Sequence, residues 1–407
     1  MACLLKLPLS SSKGVVTFTT QEWRRIQSSP DLLQELTKLR DIYVIGLHFN
    51  WHDYQFSPPP QFDFFMAGEE DLRPIDDKPY RLLSMDACNF TPSAYFPAGA
   101  ESKFWDVLIV GNPVFFKRPE IALRTIRDLF DKSEKSLRVL YICPIPEHRF
   151  FDEATVLYGI REYYEALFTI EERTRFTLLT TNFDSPNPFD RTTLSVFFRN
   201  SKVFLHCATE ERRCRIAAYA WCAGLPVVAY PSVASILPQA LRQSPGYYAV
   251  TDDNQYADAL INALTNASSF DAGAYHEELS EIKTTAKLEL KLADIFSDLN
   301  IPFEGGLLSQ NLDRRLGWHH QGIGGVANGL QQSLQEFMIT ISTLDSLDAK
   351  LFQRMINHEY PERVLANECD SAAHLDTAKV EHDLIYLNAN KRKWLNLAKH
   401  IKTRIFG

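Results

Sequence analysis

From residue 104 onward, short runs of apolar residues alternate with longer stretches in which apolar residues recur at helical spacing. The runs predict strands at 104–111, 138–143, 175–181, 201–206, 225–230 and 246–250. The longer stretches predict helices at 119–131, 152–169, 212–223, 232–242, 253–265 and 275–299. Strands that alternate with helices indicate a doubly wound α/β domain, in which a parallel sheet is open rather than closed into a barrel.

The regions on either side of this domain are less regular. The first hundred residues contain strand-like runs at 15–19, 42–46 and 80–84 and a helical pattern over 21–39. The last hundred begin with a glycine-rich segment and continue with helical patterns. We therefore predict a short N-terminal α/β domain (1–97), a Rossmann-like domain (98–298), and a helical C-terminal extension (299–407) that packs back on the N-terminal domain.

Composition narrows the class of protein. The chain has 407 residues, of which 45% are apolar, and this is enough for more than one core. Its net charge of −8 disfavours a nucleic-acid partner. We find no apolar run of about 18 residues and no signal-peptide pattern, so we expect a cytoplasmic protein without a membrane-spanning helix. The seven cysteines form no C-x-x-C pair, and we expect free thiols.

A motif near the middle of the chain resembles a known signature. Residues 200–229 hold a strand, a loop containing Glu211, a helix, and the sequence Gly-Leu-Pro-Val-Val-Ala over 224–229. This arrangement resembles the signature of the retaining group 1 glycosyltransferases, which have the GT-B fold. Gly111 followed by Lys117 and Arg118 is similar to that family's strand–glycine–lysine loop, and residues 89–97 are similar to the segment that joins its two domains.

The resemblance implies a function and a fold. The fold is GT-B-like, with a Rossmann-like donor domain and a smaller, divergent second domain. The implied enzyme is hexosyltransferase-like. It transfers a sugar from a nucleoside diphosphate donor to a saccharide or glycan, as in polysaccharide biosynthesis. It retains anomeric configuration and needs no metal or other cofactor. In this interpretation Lys117 holds the diphosphate, because a cation and aligned donors stabilise the leaving phosphate. Glu211 orients the sugar, and His48 faces the reacting centre.

The chain departs from the family pattern at the donor loops. Asn112 stands where the family usually has arginine, and Tyr219 stands where its second glutamate falls. Arg212 and Cys214 replace glycines. We expect Gly111 and Asn112 to line the donor site, and Arg118 and Arg212 to contact the diphosphate. We expect Tyr219 to stack on the nucleoside or to lie at its edge. The alternative is that the arginines form a solvated face or pair with acidic neighbours.

These departures leave other functions open. The first alternative is a catalytically inactive protein of this fold that serves for binding or as a scaffold. Another is a nucleotide-sugar epimerase of related architecture. The chain contains no G-x-S-x-G, P-loop or H-E-x-x-H motif, which disfavours serine hydrolases, P-loop nucleotidases and zincins.

Further residues are candidates for the acceptor side of the site. They are His52, His319, His320, Gly324 and Gly325. With His48 and Asp53, His52 is also compatible with a metal site, but further ligands at recognisable spacing are missing, so we expect no metal. The glycines resemble the family's glycine-rich loop before a helix, here 326–341, although glycines serve turns equally well.

A basic, apolar segment lies at 391–406 and contains six lysines and arginines without an acidic residue. A basic amphipathic helix binds an anionic membrane surface, which would make this a peripheral membrane contact. The alternative is that the segment packs on the N-terminal domain.

Overall fold

The computed structural model describes residues 2–49, 55–68, 72–94, 96, 103–144, 153–180, 189, 191–316 and 334–343. Within these residues the chain forms two α/β units, each built on its own sheet of largely parallel strands. Among the described helices, none is long and apolar enough to cross a membrane. The predicted helix at 391–406 lies outside the described residues.

The N-terminal unit contains a five-stranded sheet of order β1-β2-β3-β5-β7 and a separate strand pair. The strands are β1 (Cys3–Lys6), β2 (Gly14–Thr19), β3 (Tyr43–His48), β4 (Gln55–Phe56), β5 (Phe64–Met66), β6 (Arg73–Pro74) and β7 (Leu82–Leu83). Strand β1 runs antiparallel to β2, whereas β2, β3, β5 and β7 are mutually parallel. The sequence pattern predicted β2, β3 and β7 but not β1 or β5.

Helices α1 (Thr20–Gln27) and α2 (Pro30–Ile42) connect β2 to β3. The sequence pattern predicted one helix here, over 21–39. The helix is divided because Pro30 suits the first turn of a new helix but not a helix interior. Ser29 caps that new helix, accepting a hydrogen bond from the Leu32 amide at 3.4 Å.

The second unit contains the predicted doubly wound sheet. Its strands are β8 (Trp105–Val110), β9 (Val139–Cys143), β10 (Phe176–Thr180), β11 (Ser201–His206), β12 (Val227–Ala229) and β13 (Tyr247–Ala249). They are all parallel and lie in the order β10-β9-β8-β11-β12-β13. In chain order this is 3-2-1-4-5-6, the order of Rossmann sheets. The predicted fold class is confirmed, and each of the strands predicted in this region is present.

The helices of this unit cover both faces of the sheet, where the apolar side chains of alternate strand positions form two cores. They are α3 (Pro119–Lys132), α4 (Glu153–Leu167), α5 (Ile170–Arg173), α6 (Arg191–Arg199), α7 (Arg215–Cys222), α8 (Gln239–Arg242), α9 (Tyr256–Asn266) and α10 (Ala272–Leu279). The next helix, α11 (Glu281–Asp298), packs on the N-terminal unit instead. Helix α6 was not predicted. Helix α7 ends before Gly224, whose φ of 80° suits a residue without a side chain.

Two predicted helices are interrupted. The stretch 232–242 is a 3-10 helix (Pro231–Ile236) followed by α8, because Pro238 stands between them. The stretch 275–299 is divided between α10 and α11, with Ser280 in extended conformation at the junction.

The two units are joined where the chain crosses between them twice. At the first crossing, the amide of Thr91 donates to the Leu279 carbonyl at 2.9 Å. At the second, the amide of Glu281 donates to the Thr91 carbonyl at 2.8 Å. Helix α11 then buries Leu288 and Leu292 in the core of the N-terminal unit. The chain therefore returns to the N-terminal unit at residue 281, before the predicted domain boundary at 298.

The described residues after 300 also contact the N-terminal unit. The amide of Leu308 donates to the Leu5 carbonyl at 2.8 Å, beside strand β1. Helix α12 (Leu312–Arg315) follows, and α13 (Leu334–Ser342) packs on α2. The Tyr43 hydroxyl donates to the Ile341 carbonyl at 2.7 Å.

We predict that the packing of α11 stabilises the N-terminal unit. Leu292 is fully buried on this helix, whereas Leu290 is 68% exposed. Leu292→Ala should lower the free energy of unfolding by about 2–5 kcal/mol, because it leaves a cavity in a packed core. Leu290→Ala, the matched control, should change it by less than about 0.5 kcal/mol. Chemical denaturation measures both, and equal losses would contradict the observed orientation of the helix.

Candidate functional site

The centre of the second sheet provides a crevice. Strands β8 and β11 are neighbours there, and the connections from them run in opposite directions along the sheet. Open α/β sheets bind ligands outside the carboxyl ends of the strands at such a switch point. Strand β8 ends at Val110 and β11 at His206, so the loops 111–118 and 207–214 border this crevice.

A cluster of three ionisable side chains lies at this edge of the sheet. One oxygen of Glu211, Oε2, accepts hydrogen bonds from the Lys117 ammonium and from the His206 ring. The distance from His206 Nε2 to that oxygen is 2.6 Å. His206 is buried, and the side chains of Lys117 and Glu211 are 16% and 15% exposed. The cluster is therefore mostly desolvated but reachable from the crevice.

The charges in this cluster are strongly coupled. Burial by itself raises the pKa of Glu211, but the charges and hydrogen bonds of Lys117 and His206 outweigh burial and hold that pKa far below its usual value. Burial lowers the pKa of His206, whereas Cys214 and Glu211 raise it, with a net result of about 9. The cluster thus places two basic side chains, Lys117 and His206, around one carboxylate.

Backbone geometry positions these groups. Lys117 ends a 3-10 helix (Phe115–Lys117), and Arg118 then adopts a left-handed conformation before α3 begins. Glu211 belongs to the loop before α7, which starts only at Arg215, so the predicted helix start at residue 212 is too early. Arg213 in that loop also has a positive φ of 53°.

The N-terminal unit contributes His48, the last residue of β3. It is buried, and its Nε2 lies 3.0 Å from Asp86 Oδ1. Burial raises the pKa of Asp86, but the hydrogen bond and charge of His48 and the charge of Arg213 produce a net decrease. Since Arg213 belongs to the loop that holds Glu211, the His48–Asp86 pair lies beside the crevice of the second unit.

The other predicted donor contacts have different environments. Gly111 and Asn112 directly follow β8, and the Gly111 amide donates to the Ile142 carbonyl at 3.0 Å. Arg212 is half-buried in the Glu211 loop. Arg118 instead donates to Asp253, and its guanidinium lies 5.8 Å from the centre of the Tyr230 ring. The structure therefore directs Arg118 toward protein partners beside α9.

Tyr219 is placed differently from its prediction. It is buried, and its ring stacks on Phe96 with centres 4.3 Å apart. Its hydroxyl donates to Asp313 Oδ2 at 2.9 Å. Arg191 donates two further hydrogen bonds to the same carboxylate, at 2.6 and 2.7 Å. This corrects the expected nucleoside contact, because protein atoms occupy both the ring face and the hydroxyl.

The remaining candidates, His52, His319, His320, Gly324 and Gly325, lie outside the described residues. Sequence reasoning missed His206, Asp86 and Asp313. His206 carried a detectable signal, since it ends a predicted strand at the same sheet edge as Lys117 and Glu211. Asp86 and Asp313 carried none, because their partners are 38 and 94 or more residues away in the chain.

The chain was compared with known proteins. No family model and no curated protein sequence matches it. Among solved structures it is similar to a UDP-forming alpha,alpha-trehalose-phosphate synthase from Burkholderia xenovorans in complex with glucose-6-phosphate, with 14% identity and a TM-score of 0.47 over 66% of this chain and 70% of that one. It is similar to the trehalose-6-phosphate synthase OtsA, with 15% identity and a TM-score of 0.44 over 67% and 70%.

A third similar structure is TarM, with 12% identity and a TM-score of 0.46 over 63% of this chain. The matched part spans only 51% of TarM. GT-B glycosyltransferases are thus among the solved structures to which this chain is similar. The three TM-scores are below 0.5, so the chemistry of the site is argued from the chain's own residues.

We predict that the Asp313 carboxylate stabilises the fold through its buried ion pair with Arg191. Asp313→Asn should cost about 3–5 kcal/mol of folding stability, because it removes the charged carboxylate from a buried ion pair with the Arg191 guanidinium. Asp258→Asn is the matched control: it removes an exposed ion pair with Lys132 and should cost at most about 1 kcal/mol. Thermal or denaturant unfolding measures the loss of folding stability in both variants. A loss for Asp313→Asn no larger than that of the control would contradict the stabilising role of Asp313.

Proposed function

We propose that this protein is a glycosyltransferase that moves a sugar from a nucleoside diphosphate donor to a saccharide or glycan acceptor. The observation that carries the proposal is the cluster of Lys117, His206 and Glu211 at the switch point of a Rossmann-ordered sheet. Such crevices bind nucleotides, and this one holds the Lys117 ammonium beside the carboxyl ends of the strands.

The diphosphate of the donor would bind to the Lys117 ammonium. Helix α3 begins two residues later, at Pro119, and a helix N-terminus favours anions through its amides and its dipole. Breaking the bond between sugar and phosphate adds negative charge to the leaving diphosphate. A cation already fixed in a mostly desolvated site stabilises that charge more in the transition state than in the bound donor.

The sugar would be oriented by Glu211. When a phosphate oxygen takes the Lys117 ammonium, the Glu211 carboxylate becomes available to accept hydrogen bonds from sugar hydroxyls. Bonds of this kind to an ionised group are roughly twice as strong as neutral ones. His206 continues to hold the carboxylate in place, because it donates to the same oxygen from the end of β11.

The acceptor would enter from the N-terminal unit. His48 is a buried residue at the end of β3, and Asp86 holds its ring by a hydrogen bond to Nε2. With Nε2 occupied, the other ring nitrogen is the atom left to contact a sugar hydroxyl. We propose transfer with retention of configuration, by analogy with the family that the sequence resembles.

We predict that Lys117 dominates donor binding. Lys117→Gln should weaken binding of a nucleoside diphosphate by about 10- to 100-fold, since a hydrogen bond to a charged group contributes about 1.5–3 kcal/mol. Lys132→Gln, at the exposed other end of α3, is the control and should leave affinity unchanged. Isothermal titration calorimetry on both variants measures this, and equal affinities would overturn the assignment of Lys117.

A second experiment distinguishes transfer from binding alone. The full chain is incubated with a panel of nucleoside-diphosphate sugars while thermal shift and release of nucleoside diphosphate are followed. A shift with release supports the transferase, and Glu211→Gln should then keep the shift while release falls. A shift without release indicates a binding protein of this fold, and the absence of both contradicts a donor site here.

A further inference from the structure

The loop after β11 holds three potential metal ligands close together. They are His206, Glu211 and Cys214, and their ligand atoms all lie within 4.8 Å of one another. The distance from Cys214 Sγ to His206 Nε2 is 3.6 Å. Ligand atoms of a tetrahedral zinc site, with metal–ligand bonds of about 2.0–2.3 Å, are separated by about 3.3–3.6 Å. The sulfur and the nitrogen therefore already have the spacing that such a site requires, whereas His206 Nε2 and Glu211 Oε2, 2.6 Å apart, would have to separate when an ion binds.

The elements that carry these ligands are firmly placed. His206 ends a largely buried strand, Cys214 is the N-cap residue of α7, and both side chains are buried. Glu211 lies between them in the loop and is the ligand nearest to solvent. Only a few residues separate the three in the chain, so a single rigid strand–loop–helix connection fixes their geometry.

We propose that His206, Glu211 and Cys214 form a binding site for a divalent cation of the zinc class. Nitrogen, oxygen and sulfur donors together favour zinc over magnesium or calcium, which prefer oxygen ligands alone. A thiolate and a carboxylate also neutralise the two positive charges of the ion. Three protein ligands leave one tetrahedral position open, as in catalytic rather than structural zinc sites.

The cation has a defined consequence for its neighbour. Glu211 Oε2 now accepts from both Lys117 and His206. A bound cation would take over this oxygen and the His206 nitrogen, so the Lys117 ammonium would no longer be neutralised by the carboxylate. Cation binding does not require that the chain transfers a sugar, and it is measured without any donor or acceptor.

The test uses the full chain and Co²⁺, which reports thiolate ligation through a sulfur-to-metal charge-transfer band. We expect one equivalent of Co²⁺ to produce this band and Zn²⁺ to abolish it by displacement. Cys214→Ser should lose the band. Cys207→Ser, which removes a buried thiol on the opposite face of the sheet, should retain it. Absence of the band in the wild type, or its persistence in Cys214→Ser, would overturn the proposal.

A second pair of variants tests the carboxylate ligand. Glu211→Gln should weaken Zn²⁺ affinity by more than the 10- to 100-fold typical of losing a hydrogen-bond partner of a ligand. Glu210→Gln alters the exposed neighbour and should not change affinity. Competition with a chromophoric chelator gives both constants, and equal constants would exclude Glu211 as a ligand.

Discussion

A single carboxylate oxygen organises the crevice. Glu211 Oε2 accepts hydrogen bonds from Lys117 and from His206, two side chains that come from different strand ends of one sheet. A carboxylate this far from solvent is costly unless it is paired, and here it is paired twice. The loops after β8 and β11 are consequently held against each other across the switch point. In the proposed function, the donor diphosphate would take Lys117 away from this oxygen, and the freed carboxylate would accept hydrogen bonds from the sugar. The proposed cation would instead take the same oxygen as a ligand.

The geometry of the cluster depends on how the two units are joined. The chain crosses between them at Thr91 and again at Ser280, and backbone hydrogen bonds tie the two crossings together. Helix α11 then lies on the N-terminal sheet, while Asp313 binds Arg191 and Tyr219 of the second unit. These contacts keep the His48–Asp86 pair beside the loop that contains Glu211. A binding site of this kind is a property of both units, although its charged groups come mainly from the second.

The sequence predicted much of the second unit because most residues of its central strands are buried and these strands therefore appear as continuous apolar runs. Strands β1 and β5 were missed because they are short and are not flanked by the regular alternation of apolar runs and helical patterns that marks the second unit. Lys117, Glu211 and His48 were predicted as site residues from a family resemblance. Tyr219 was assigned wrongly because its role depends on Asp313, 94 residues away, and no local pattern encodes that contact. Cys214 was interpreted as a lost glycine, and only the folded loop brings its sulfur next to His206.

The most direct test of this account is a crystal structure of the full chain bound to a nucleoside diphosphate. The account predicts the diphosphate outside the carboxyl ends of β8 and β11, with a phosphate oxygen hydrogen-bonded to the Lys117 ammonium and the Glu211 carboxylate released from that lysine but still held by His206. A nucleotide bound elsewhere, or one bound while Lys117 remains on Glu211, would contradict it.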